Sequence, residues 1–217
     1  MQFAAITLGQ SIIKYQVPLE VFVGLNELYE TKKKHLPNAS NQLAGKIRDE
    51  VSLFYAGPTN KKMHAHCYIS EDVMKWFYSV FQHYLEWTRT RDVYQVNIIS
   101  MWVNEMKAGD YNPVHVHQGH LFTGLSSVMI LKLPKDMGPE IARPDQPTNG
   151  QLQILSNSAG QFAITDYSPK MKIGDFYVFP YDMRHVVYPF DNKKETRRTL
   201  SCNIDVNYNP TKTRTTD

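Results

Sequence analysis

Two histidines two residues apart, His115 and His117, close the segment WVNEMKAGDYNPVHVH (102–117), behind an apolar run and a glycine turn. Successive side chains of a strand point to opposite faces, so this spacing sets both imidazoles on one face, near enough to share a metal ion. A third donor is expected from His185 in GDFYVFPYDMRHVVYPF, where a second apolar strand meets a turn and a third short strand begins. Neutral imidazole suits Fe(II), Zn(II), Cu(II) and Ni(II), so spacing alone leaves the metal open. His120 is a spare candidate whose plainer reading is a loop histidine near the mouth of the site. His64, His66 and Cys67 in KKMHAHCYIS also read as ligands, but no distal pair matches them.

Past His185, Arg197 and Thr199 again lie two apart. In TRRTLSCNIDV, alternation sends Arg197, Thr199, Ser201 and Asn203 to one face and Arg198, Leu200, Cys202 and Ile204 to the other. The apolar set is expected against helices. The polar set needs water or a ligand-filled cavity, because a buried guanidinium without a partner is costly. Arg-x-Thr offers a bidentate fork beside a hydroxyl, which suits a small carboxylate. An edge strand with a solvated polar face fits the same pattern. Asp175 and Asp182, in Gly-Asp and Tyr-Asp steps, read as turn residues.

These residues need a scaffold, and the chain of 217 residues is long enough for one domain with a sizeable core. Leu19 onward reads as a helix stopping before Pro37, with Pro18 in its first turn and Leu19, Phe22, Val23, Leu25 and Leu28 as its stripe. Ser70 to Arg91 is the clearest helix, with Ser70 as N-cap, Glu71 and Asp72 in the first turn, and Val73, Trp76, Phe77, Val80, Phe81 and Tyr84 at helical spacing. From Val93 the pattern turns strand-like. Strands are expected at Tyr94–Val103, Val114–His117, Ser126–Leu133, Leu152–Ser156, Phe162–Thr165, Lys170–Ile173, Phe176–Phe179, His185–Tyr188 and Thr196–Val206. The stretch from Asn38 to Lys62 shows only a short helix-like run at Leu43 to Val51, and the proline-rich segment Lys135 to Gly150 reads as a long loop, a possible substrate lid by its length. The class that follows is mainly β with N-terminal helices: a jelly roll buttressed by helices, with support over about 1–91, a core over about 92–208 and a flexible tail at 209–217.

A net charge of +3 and the lack of a basic stripe interleaved with aromatics give no support for a nucleic-acid partner. No apolar run reaches the roughly 20 residues of a membrane span. Two cysteines far apart, Cys67 and Cys202, read as reduced thiols of a cytoplasmic protein. The start, MQFAAITLGQSIIKYQ, lacks the pattern of a signal peptide and reads as an opening strand or two.

Taken together, Gly109, His115-x-His117, PYDMRHVVYPF, Arg197-x-Thr199 and Asn203 resemble the 2-oxoglutarate- and Fe(II)-dependent oxygenases. The nearest likeness is to the prolyl-4-hydroxylase-like branch of bacteria and marine phages, and it covers roughly Val93 to Val206. The resemblance implies a double-stranded β-helix, with Fe(II), 2-oxoglutarate and O2 as cofactor and cosubstrates. It puts His115 on the first iron ligand, His185 on the distal histidine, and Arg197 with Thr199 on the pair that holds the far carboxylate of 2-oxoglutarate. Asn104, eleven residues before His115, falls on a cosubstrate-binding asparagine of the superfamily's nucleic-acid demethylases. His117 departs from the pattern, since many members carry Asp or Glu there. The resemblance then implies a three-histidine site, or a His117 that swings away from the metal. The expected activity is hydroxylation of an unactivated C–H bond in a prolyl or other peptide residue, or in a small molecule. The alternatives are a non-enzymatic metal- or ligand-binding jelly roll and a three-histidine cupin-type enzyme that does not use 2-oxoglutarate.

Overall fold

The computed structural model describes residues 9–59, 62–88, 94–140, 145–157 and 160–208, with backbone alone over 58–59 and 62–64. The expected frayed tail 209–217, the extreme N-terminus and the last residues expected in the second helix lie outside the described residues.

Eleven described strands form two antiparallel sheets. They are β1 (Ile13–Gln16), β2 (Asp49–Thr59), β3 (Lys62–Cys67), β4 (Tyr94–Met106), β5 (Asn112–His115), β6 (Gly124–Lys132), β7 (Leu152–Leu155), β8 (Asp166–Tyr167), β9 (Asp175–Pro180), β10 (Arg184–Val187) and β11 (Arg197–Tyr208). The larger sheet runs β1-β9-β6-β11-β4-β2-β3 and the smaller β5-β10-β7-β8. Helices α1 (Leu19–Lys32) and α2 (Glu71–Trp87) complete the chain.

Alternation along the strands builds two cores. On one face of the larger sheet, Met101, Val103, Leu200, Cys202 and Ile204 pack with Val21, Leu25 and Tyr29 of α1 and with Phe77, Val80 and Phe81 of α2. On the opposite face, Met106, Val128, Ile130, Tyr177 and Phe179 meet Leu152, Ile154 and Val187 of the smaller sheet. This is the two-layered jelly roll expected, with both helices on the outside of the larger sheet.

Several local expectations are corrected. The stripe of α1 that is buried is Val21, Leu25 and Tyr29, at i, i+4 and i+8, while Leu19 and Val23 are exposed. Ser70 sits at the N-cap of α2 but makes no side-chain capping bond. Leu43 to Val51 is not a helix: a 3-10 turn at Ser40–Gln42 leads into β2, which pairs with β4 from Asp49 onward. The central ladder takes the backbone hydrogen bonds that a helix would have used. Phe162 to Thr165 forms no strand; Phe162 is fully exposed at φ 65° in a turn before the two-residue β8. Lys170 to Ile173 is likewise outside the strands. No helix among the described residues is long and apolar enough to cross a membrane.

Candidate active site

β5 and β10 set the histidines. Their antiparallel register places His115 directly opposite His185, beside a bulge between His185 and Val187. Gly109, at φ 82°, makes the turn from β4 into this segment and donates its N–H to the Phe190 carbonyl at 2.9 Å. The strand ends at His115, so His117 reaches the site from the extended stretch after it, held by its N–H on the Tyr181 carbonyl at 2.9 Å. The expectation of two histidines within one strand is corrected to that extent, and the side chains still converge.

The ring centroids lie 4.3 Å apart for His115 and His185, 4.9 Å for His117 and His185, and 5.0 Å for His115 and His117. One ligand atom from each falls within 4.8 Å of the others, the arrangement of a group that could hold a metal ion. His115 Nδ1 lies 2.7 Å from the Pro113 carbonyl and His185 Nδ1 3.0 Å from the Met183 carbonyl. A carbonyl only accepts, so each Nδ1 carries the proton and each Nε2 keeps its lone pair. The Nε2 atoms of His117 and His185 are 3.1 Å apart. Two adjacent nitrogens on a six-coordinate ion with bonds of about 2.1 Å would sit at about 3.0 Å.

Burial holds the imidazoles in the neutral form that a metal needs. It lowers His115, against the opposing Pro113 and His185 backbone, and brings His185 down to about 4, with His115 adding and the Met183 carbonyl opposing. His117 falls well below its ordinary value, from burial first and then from the two neighbouring histidines; its ring packs against Trp102 at 5.6 Å.

β11 separates its two neighbouring arginines. Arg198 points to the helices, where it bonds Glu105 and Glu30, donates to Asn26 Oδ1 at 2.9 Å and stacks 4.2 Å from the Tyr29 ring centre. Arg197 points the other way and is 0% exposed. Among the described residues its guanidinium meets only the thioethers of Met106 at 3.4 Å and Met171 at 3.5 Å, and its Nε has no partner. Sulfur is a weak acceptor and carries no charge to balance it, and burial lowers Arg197 to about 10. Thr199, Ser201 and Asn203 share that face and line a cavity of about 400 Å³ together with the three histidines. Asn104 of β4 stands opposite Thr199, its amide nitrogen 3.4 Å from Thr199 Oγ1 and 3.5 Å from Ser201 Oγ, with Oδ1 unpartnered.

The remaining candidates fall elsewhere. His120 contacts the Ala56 carbonyl at 3.1 Å and is not part of the cluster. His66 lies 2.9 Å from Ser52 Oγ, the side chain of His64 is outside the described residues, and Cys67 is exposed. Asp175 is buried, accepting from Lys172 N at 3.0 Å and Tyr177 Oη at 2.8 Å. The expected lid does not line the cavity with any of its described residues; residues 39–45 do. Sequence reasoning also missed Glu50 and Ser52 on the wall, although the alternation in DEVSLFY marks a strand.

Residues 100–203, which carry the three histidines, Asn104, Arg197 and Thr199, match the family model described as putative 2OG-Fe(II) oxygenase. Over that segment the chain is similar to the 2-oxoglutarate/Fe(II) oxygenases. The fold of the chain is also that of solved prolyl hydroxylases. A Pseudomonas putida prolyl-4-hydroxylase matches at TM-score 0.55 and 14% identity, over 91% of this chain and 92% of that one. A Trichoplax adhaerens prolyl hydroxylase in complex with a hypoxia inducible factor peptide fragment matches at 0.55 and 14%, over 91% and 83%. The viral collagen prolyl hydroxylase of Paramecium Bursaria Chlorella virus-1, as its 2OG complex, matches at 0.51 and 13%, over 89% and 96%. No curated protein sequence matches the chain.

Proposed function

We propose that His115, His117 and His185 hold Fe(II), that Arg197 with Thr199 takes the far carboxylate of 2-oxoglutarate, and that Asn104 adds a contact to the same cosubstrate. The observation that carries this reading is Arg197, a fully buried cation without an anionic partner, on the same strand face as the cavity-lining Thr199. A guanidinium so placed is stable only if something brings it a negative charge, and a dicarboxylate does. The donor set fits the metal as well: three neutral imidazoles, two of them oriented by backbone carbonyls.

Iron with bound 2-oxoglutarate and O2 supplies the oxidising power that turns C–H into C–OH, with succinate and CO2 as coproducts. The chain's own residues provide geometry. The three histidines would hold the ion, Arg197 and Thr199 would fix the orientation of the cosubstrate, and Trp102, Val128 and Val187 give the cavity apolar wall. The target is a C–H bond in a prolyl or other peptide residue, a reading supported by likeness in fold to prolyl hydroxylases.

His185 is central to this reading, since it is the most buried of the three histidines and contacts both others. His185→Ala should leave the protein without stoichiometric iron after anaerobic reconstitution and gel filtration. Retained iron at one per chain would remove His185 from the metal site.

A further inference from the structure

Glu50 is a buried acid for which the chemistry above has no use. β2 sets it opposite Asn104, and Asn104 stands opposite Thr199, so the three form one row across the cavity face of the larger sheet. At about 4.8 Å per strand, Glu50 lies about 10 Å from Thr199. It is 1% exposed, it lines the cavity, and its Oε2 has no hydrogen-bond partner. Residue 45 approaches from residues 39–45 only because it is glycine: a Cβ there would come within 2.9 Å of Glu50 Oε1 and 2.3 Å of Asn112 Oδ1.

Among the described residues no lysine or arginine lines the cavity. The charged side chain that bears on Glu50 is Asp110, itself bound to Arg48 at 2.8 Å. Burial therefore pushes the Glu50 carboxyl up to about 7, with Ser40 opposing and Asp110 adding to the rise. Arg197 and Glu50 are thus opposite charges, each buried and each short of a counter-ion. Tyr55 and Trp102 line the same cavity and offer ring faces to an aliphatic stem or a cation.

We propose that Glu50 recognises a basic group of the substrate, so that this oxygenase acts on a molecule or side chain bearing an alkylammonium or guanidinium. This rests on the oxygenase reading for the reaction, while the binding site itself does not depend on it. Calorimetric titration of the Mn(II)- and 2-oxoglutarate-loaded protein tests it. The probes are N-acetyl-L-lysinamide and N-acetyl-L-argininamide, against the uncharged N-acetyl-L-norleucinamide and the Nε-acetylated lysine derivative. At least one cationic probe should bind ten-fold or more tightly than both neutral ones, and Glu50→Gln should weaken it at least ten-fold with 2-oxoglutarate affinity unchanged. Neutral probes binding as well as cations, no binding by either cation, or full affinity in Glu50→Gln overturns the assignment. Failure of the wild type to bind 2-oxoglutarate would instead overturn the oxygenase reading, and the charge series on that protein would still decide for or against Glu50.

Discussion

His117 and His185 bring their Nε2 atoms to 3.1 Å, and that contact sets the character of the site. A histidine at position 117 makes the site one unit more positive than a carboxylate there would, which a dianionic cosubstrate offsets in part. His117→Asp should therefore keep iron at one per chain and bind Fe(II) at least as tightly, as read by metal content after anaerobic reconstitution. Loss of iron in that variant would show that a carboxylate cannot take the place of His117 at the metal. Glu50 makes a separate prediction in the metal-free protein. Its value of about 7 lies above the ordinary 4.5, so between those values the folded state keeps a proton that the unfolded chain has released. The stability this contributes is full below about pH 4.5 and is lost as the pH rises to about 7. The span corresponds to at most about 3 kcal/mol. Glu50→Gln, which cannot ionise, should melt above the wild type at pH 8 and close to it at pH 4.5; a Tm difference independent of pH would contradict the burial argument.

At the scale of elements, β11 does the sorting. Neighbours in sequence, Arg197 and Arg198 have unrelated surroundings because a strand turns them to opposite faces. Arg197→Ala should weaken 2-oxoglutarate at least ten-fold and leave iron loading and Tm close to wild type, since the residue makes no ion pair. Arg198→Ala should do the reverse: it strands Glu105 and releases α1 from the sheet, at a loss of about 1–3 kcal/mol, with cosubstrate affinity kept in the folded protein. Thermal melts and cosubstrate titrations of the two variants separate these outcomes, and equal effects would mean that the strand does not divide the roles. This division was legible in the sequence, because alternation over TRRTLSCNIDV needs no tertiary information. β2 was not. Most of its residues are half-buried and follow a Gly-, Asn- and Ser-rich approach, so the helix-like spacing at Leu43 to Val51 outweighed a pairing that β4 supplies from Asp49 onward. Glu50 went unnoticed for the same reason.

For the whole molecule, the jelly roll was readable from the number of short strands after a helical start, and the histidine cluster from spacing on two of them. What could not be read was the cover of the cavity. The length of 135–150 suggested a lid, but residues 39–45 line the cavity instead, placed there by the entry of β2 beside β4. Phe162 to Thr165 has the composition of a strand, but β7 pairs with β8 just after it and these residues stay irregular. Two apolar cores on either face of the larger sheet leave a polar cavity between the sheets, bounded by three neutral imidazoles and by Thr199, Ser201 and Asn203 of β11, the strand that also carries the buried Arg197. The most direct test of that account is an anaerobic titration of the Fe(II)-loaded protein with 2-oxoglutarate, read by visible absorption. The account predicts a weak metal-to-ligand charge-transfer band that saturates at one equivalent and is lost in His185→Ala. A folded, iron-loaded wild-type protein that develops no such band would contradict it and favour a three-histidine centre that does not chelate 2-oxoglutarate.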